Sequence, residues 1–272
     1  MSGTTFMPYD TYLGPEIDTM DVVEAMLRRP GSGIDAPAAI LIEMVQGEGG
    51  LNCATSAWLK RLAGLAREIG SLLIIDDIQA GNGRTGTFFS FENYELDPDI
   101  VVLSKSLSGF GNPLSLVLIR PELDVWEPGE HNGTFRGNNL AFVGATAALE
   151  TYWRSPDFEQ DIAEKAELVA RKLAQIVTAL PIGAGRVKGR GLFTGIEFFD
   201  PEIATSVVAH LFESGVIIET CGPRDQVLKL LPALTIGRPE LENCLALIEQ
   251  SIIATYSNRS LQTVGFMISE PA

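Results

Sequence analysis

Four short apolar runs, set apart by a helix and by glycine-rich turns, constrain this chain more than any other feature. AAILIEMV (38–45), SLLIIDD (71–77), DIVVLSK (99–105) and LSLVLIR (114–120) are almost continuously apolar. A strand apolar on both faces needs cover on both faces, the condition of a mainly parallel sheet wrapped by helices. TSAWLKRLAGLAREIG (55–70) supplies a helix between the first two runs. Its apolar residues recur at helical spacing, Thr55 or Ser56 can cap its start, and Gly70 can end it. NNLAFVGATAALETYW (138–153) predicts a further helix. The fold class is therefore α/β.

The texture changes near Arg154–Pro156. A long amphipathic helix over about 157–180 leads to GRVKGRGLFTGIEF (185–198), which reads as strand with glycine-marked bends. A helix over about 201–214, strands near 216–220 and 227–231, and a last helix over 239–255 complete the pattern. The expected organisation is a large domain over 1–154 and a smaller α+β domain over 155–272. Residues 1–37 read as irregular, with one helix near Met20–Arg29. Four strands are few for a sheet of this kind, so the large domain is expected to begin in its middle.

Twenty basic residues stand against 35 acidic ones, a net charge of -15. Such a surface repels nucleic-acid phosphates, so nucleic acid is not an expected partner. No apolar run is long enough to span a bilayer, and the first residues do not read as a signal peptide. Cys53, Cys221 and Cys244 are odd in number and widely separated, with neither metal-ligand spacing nor a disulfide framework. A soluble cytoplasmic enzyme without a metal is the expectation.

Open α/β sheets place ligands at the carboxyl ends of their strands. One apolar run ends in Asp76-Asp77-Ile78-Gln79 and the next in Ser104-Lys105-Ser106. A lysine and an aspartate on neighbouring strand ends suit pyridoxal 5'-phosphate. The lysine amine condenses with the aldehyde, and a carboxylate keeps the pyridine nitrogen protonated so that the ring accepts electrons. The freed lysine then moves the substrate proton. Alone, each residue has a plainer reading: Lys105 as an exposed strand-end cation and Asp76 as a loop cap. Asp77, the alternate neighbour of Asp76, faces the other way along a strand and reads as structural. GNGRTG (81–86) matches a dinucleotide fingerprint in letters, yet no helical pattern follows it, so it reads as a tight structural loop.

The run LLIIDDIQAGNGRTGTFFSFENYELDPDIVVLSKSLSG (72–109) resembles the signature of class III aminotransferases, which are fold-type I pyridoxal-phosphate enzymes. IEMVQGEGG (42–50) is similar to the family's Glu-x-x-Gln-Gly-Glu-x-Gly turn, and HNGTFRGNN (131–139) to its His-x-x-Thr-hydrophobic-x-Gly-Asn segment. The resemblance implies roles residue by residue. Lys105 carries the cofactor, Asp76 pairs with the pyridine nitrogen, and Gln79 meets the phenolic oxygen. Thr134 donates to the phosphate of the other subunit, which implies a homodimer. Glu48 is the gate that lets one site take two dissimilar substrates. His131 and Arg136 either reach a ligand or fix their loop.

SKSLSGFGNPLSLVLIRPELDVWEPGEHNGTFRGNN (104–139) resembles the diaminobutyrate–2-oxoglutarate transaminases of ectoine biosynthesis. The implied reaction moves glutamate's α-amine onto the aldehyde of aspartate 4-semialdehyde. Other class III transaminases acting on ornithine, 4-aminobutyrate or a siderophore diamine are the alternative, as is a non-catalytic interaction module. VLKLLPALTI (227–236) carries Lys229 where many members of the class carry an arginine that grips a substrate carboxylate. Lys229 is thus a substrate-binding candidate, with Arg190 and Arg238 as others; a lysine offers a point charge in place of a bidentate fork. The resemblance also implies that the first strands, the phosphate-cradling loop and the ring-stacking aromatic precede Met1. By this reading the chain alone is not a competent transaminase.

Overall fold

A computed structural model describes residues 3–109 and 111–268. The chain divides into two compact units, one comprising Met1–Val45 and Cys53–Glu159, the other Gln46–Asn52 and Gln160–Ala272. The short excursion 46–52 belongs to the second unit, which its position in the sequence does not suggest.

In the first unit, helix α1 (Thr19–Arg28) precedes strand β1 (Ala39–Glu43). A narrow ribbon of β2 (Val45–Gln46) and β3 (Asn52–Cys53) follows, then helix α2 (Ser56–Ile69). Strands β4 (Leu72–Asp76), β5 (Ile100–Leu103) and β6 (Leu116–Ile119) complete a four-stranded sheet of order β1-β4-β5-β6. β4 lies parallel to both β1 and β5, and β6 runs antiparallel. Helix α3 (Asn139–Tyr152) closes the element order of this unit.

The α2 boundaries follow from local chemistry. Thr55 accepts from the Trp58 amide at 3.3 Å, and Gly70 ends the helix in the left-handed region at φ 73°. Its Trp58, Leu59, Leu62 and Leu65 pack with Leu73 and Ile75 of β4 and with Met20 and Val23 of α1. The irregular start is also anchored. The Tyr9 hydroxyl lies 3.0 and 3.1 Å from the Glu43 and Met44 carbonyls and accepts from the Ala54 amide at 3.0 Å. Arg61 of α2 binds Asp18, Asp21 and Glu24 around α1.

Two expected buried strands are not buried on both faces. Leu41 of β1 is exposed, as are Leu116, Val117 and Leu118 of β6. These are the outer strands of the described sheet, whereas β4 and β5 are flanked on both edges.

The second unit holds helix α4 (Asp157–Ala179, which begins just before the division), hairpin β7 (Gly185–Arg190) and β8 (Phe193–Phe198), and helix α5 (Pro201–Glu213). Strands β9 (Glu219–Cys221) and β10 (Val227–Leu230) and helix α6 (Arg238–Ile268) follow. The sheet is antiparallel, of order β7-β8-β10-β9. β8 is buried along its whole length. The last helix runs past the expected end at 255, since neither glycine nor proline occurs between Pro239 and Gly265. The strand expected at 216–220 begins only at Glu219.

The excursion 46–52 packs within this second unit through Leu51, which is fully buried. Gly50 has φ 104°, and a side chain there would stand 3.3 Å from the Gly222 backbone, so only glycine fits without strain. The Gly222 amide donates to the Glu48 carbonyl at 3.0 Å.

Glu197 of β8 bridges two neighbours: Arg186 donates at 2.6 Å and Gln226 at 3.3 Å. Burial pushes its carboxyl up, but the Arg186 guanidinium, Lys188 and the Gln226 amide together hold it below its ordinary value of 4.5. A depressed carboxylate contributes stability that is present above its unfolded value and lost as the pH falls through its folded one. Glu197→Gln is therefore expected to cost about 1–2 kcal/mol at pH 7, discounted for the exposed arginine. The difference from the parent should shrink below about pH 4.5. Urea unfolding at both pH values checks this; a cost that does not change with pH would contradict it.

Candidate active site

The parallel ladder delivers two chemically active side chains to one sheet edge. Asp76, the last residue of β4, lies level with Val102 of β5. Lys105 follows three residues later, at the same carboxyl end. Its backbone has φ 51°, left-handed for a residue with a side chain, where it opens the 3-10 turn Lys105–Ser108. Such a conformation costs about 1 kcal/mol or more and persists only where neighbours impose it. Ser104 imposes it here: its hydroxyl donates to the Leu114 carbonyl at 2.6 Å, and its carbonyl accepts from the Leu107 amide at 3.1 Å. The lysine side chain is exposed at that edge.

Asp76 is half-buried and accepts from the Ile78 amide at 3.1 Å; Gln79, in the turn just beyond, is also half-buried. Asp77 is fully buried and accepts from the Ser90 amide at 3.0 Å. Neighbouring residues thus have opposite environments, as strand alternation requires.

The loop 81–86 is built around Asp77. The Gly81 amide donates to the Asp77 carbonyl at 3.1 Å, and a side chain at Gly81 would meet Asp77 oxygens at 2.7 Å. Asn82, Arg84 and Thr85 are buried within it, and Thr85 donates to the Ala80 carbonyl at 3.0 Å. Burial pulls the Arg84 guanidinium down to about 10. No helix opens here, so the glycines shape a structural loop. The Asn82 amide makes a long contact of 3.5 Å with the Ser104 carbonyl, tying the loop to the lysine turn.

An ion cluster occupies the second unit. Lys229 of β10 has no exposed side-chain surface. Its ammonium lies 2.7 Å from Glu48 and 3.0 Å from Glu219, both largely exposed. Burial pulls this ammonium down, yet the two carboxylates more than compensate and hold it above its ordinary value. Glu219 stands directly across the β9–β10 ladder from Lys229. Sequence reasoning missed Glu219. Pairing the short strands on either side of the Gly-Pro-Arg-Asp turn as a hairpin would have found it. Cys221, two residues on, is buried, and its thiol is pushed up to about 11.

Thr134 sits on an exposed loop. In that loop Arg136 reaches the His131 ring at 2.7 Å and Trp126 packs on the same ring, a loop-fixing arrangement. Arg238 pairs with Glu242 one turn along α6, and Arg190 ends β7 half-buried. Among the described residues no group of three or more metal-ligating side chains is assembled.

The donor set at the first sheet edge fits pyridoxal phosphate: a primary amine on an imposed backbone, a carboxylate on the adjacent strand end and an amide in the following turn. Lys105, Asp76 and Gln79 would hold it there.

Comparison with known proteins identifies the family. A family model described as aminotransferase class-III matches residues 6–252. The chain is 55% identical over 253 residues to a diaminobutyrate–2-oxoglutarate transaminase of Bordetella parapertussis, covering 93% of this chain and 58% of that protein. It is 51% identical over 261 residues to one of Halalkalibacterium halodurans, covering 96% and 61%. Among solved structures, the ornithine aminotransferase of Toxoplasma gondii ME49 superposes with a TM-score of 0.77 at 32% identity, over 89% of this chain and 56% of that one. The chain thus spans about three-fifths of the length of the curated relatives it matches.

Asp76 and Asp77 should separate function from folding. Asp77→Asn removes a buried charge-assisted bond worth about 1.5–3 kcal/mol and should lower the melting temperature by several degrees. Asp76→Asn should leave melting within about a degree or two yet cut amine transfer from glutamate at least roughly tenfold. Equal effects of the two substitutions on both measurements would refute the opposed facing.

Proposed function

Because the chain belongs to the class-III aminotransferase family, whose members depend on pyridoxal phosphate, we propose that an enzyme of the relatives' full length carrying this chain transfers glutamate's α-amine to the aldehyde of aspartate 4-semialdehyde. The products are 2,4-diaminobutyrate and 2-oxoglutarate, the opening step of ectoine synthesis. The relatives at 51–55% identity support this substrate pair over ornithine, whose aminotransferase matches at 32%. The observation that carries the reading is the Lys105–Asp76–Gln79 set at one strand edge.

Pyridoxal phosphate, when bound, supplies the electron sink that stabilises the carbon losing its proton. Asp76 would hold the proton on the pyridine nitrogen, and the Gln79 amide would donate to the phenolic oxygen. The Lys105 amine would take the proton from the amine-bearing carbon of the substrate and hold it for return. Thr134 would donate its hydroxyl to a phosphate in a partner copy, which makes the active form a homodimer. The exposed Leu140, Phe142 and Val143 of α3 support such an association, since apolar patches of this kind mark interfaces. Cys53, Cys221 and Cys244 are not joined in disulfides among the described residues, which suits a reducing, cytoplasmic setting. No described helix is long and apolar enough to cross a membrane.

Lys229 and Glu48 would sort the two substrates. Glutamate presents an α-carboxylate beside the reacting carbon, which needs a cation. The terminal amine of diaminobutyrate brings none. Glu48 paired to Lys229 occupies an ammonium donor for the diamine, and Glu48 displaced frees that donor for glutamate's carboxylate. Glu48→Ala should therefore raise the glutamate half-reaction rate relative to the diaminobutyrate one, by about tenfold for loss of one competing charge-assisted bond. Single-turnover absorbance changes with each amine measure the ratio, and an unchanged ratio removes Glu48 from the role. Assay of 2,4-diaminobutyrate, ornithine and 4-aminobutyrate as donors to 2-oxoglutarate tests the substrate. Preference for ornithine or 4-aminobutyrate would overturn the assignment.

A further inference from the structure

The Lys229 cluster holds one cation and two carboxylates, and the two carboxylates are not equivalent. Glu48 sits on the turn between β2 and β3. Glu219 is fixed opposite Lys229 by the β9–β10 ladder. With both engaged, the cluster carries one net negative charge. If Glu48 leaves, Lys229 does not become a bare buried cation, because Glu219 stays 3.0 Å away. A substrate carboxylate arriving there meets a neutral ion pair. Two of the three ammonium donors are spoken for in the closed cluster and one in the open cluster.

From this asymmetry, and resting on the gate reading above, we propose that Glu219 is a specificity-determining residue. It is the permanent counter-ion that keeps Lys229 charged and aimed when Glu48 is displaced, and it limits how tightly dicarboxylates bind. The physical consequence is reversible capture. A bare buried cation would bind both glutamate and 2-oxoglutarate strongly, and the keto-acid product would leave slowly. A neutral pair retains direction and donors while weakening the net attraction.

Removing Glu219 alone strengthens Lys229's hold on Glu48 and on a substrate carboxylate together, so the two changes partly cancel. The test therefore uses the Glu48→Gln background, where that competition is gone. Glutarate is the probe, because it has two carboxylates and neither amine nor keto group to react. Its affinity for the pyridoxal-phosphate-loaded enzyme of the relatives' full length is measured by calorimetry in the parent, in Glu48→Gln, in Glu48→Gln/Glu219→Gln and in Lys229→Met.

The double variant should bind glutarate about tenfold more tightly than Glu48→Gln, the scale of one uncancelled charge-assisted interaction. Lys229→Met should lose most of the affinity of the parent. Equal or weaker binding in the double variant, with its melting temperature kept, overturns the role of Glu219 while leaving the gate intact. If Lys229→Met binds glutarate as the parent does, the gate reading itself fails. A merely structural role for Glu219 would weaken binding and lower melting, so tighter binding cannot be mistaken for damage. Should the double variant unfold, Glu48→Gln/Glu219→Ser gives the same comparison, with the same outcomes deciding it.

Discussion

The parallel pairing of β4 with β5 is the constraint on which the candidate site depends. In a parallel ladder both strands finish at the same edge, so residues far apart in sequence, Asp76 and Lys105, arrive together. Antiparallel pairing would have placed their carboxyl ends at opposite edges. The short strands then leave the chain free to turn at once, and each turn holds a candidate residue: Gln79 after β4 and the left-handed Lys105 after β5.

The adjacent aspartates occupy opposite environments at one strand end. Asp77 points inward and becomes the centre of a loop whose glycine, Gly81, has no room for a side chain. That loop in turn reaches the carbonyl of Ser104, one residue before the lysine. Asp76 points the other way and stays accessible. A single extra or missing residue in β4 would exchange these roles, since register has a period of two.

Much of this was legible in the sequence, for definite reasons. Thr55 and Gly70 bound α2 because capping is local chemistry, and the central strands announce themselves by unbroken apolar runs. The opposed facing of Asp76 and Asp77 follows from strand alternation alone. What escaped depends on non-local packing. The anchoring of the irregular start by Tyr9 spans more than thirty residues, and nothing near Tyr9 signals it. The exposure of Leu41 and of β6 depends on strand order, which an apolar run does not encode. The placing of 46–52 in the second unit rests on Leu51 and on the close approach of Gly50 to Gly222. The partnership of Lys229 with Glu219 required knowing that β9 and β10 pair.

The central claim is that Lys105 is the amine that takes the cofactor. It is tested most directly by loading an enzyme of the relatives' full length carrying this chain with pyridoxal phosphate, reducing it with borohydride, digesting it and locating the pyridoxyl mass by peptide sequencing. The account predicts the label on the peptide containing Lys105, at about one per chain, and its disappearance in Lys105→Ala. A label on another lysine, such as Lys60, Lys188 or Lys229, with Lys105 unmodified, would contradict it.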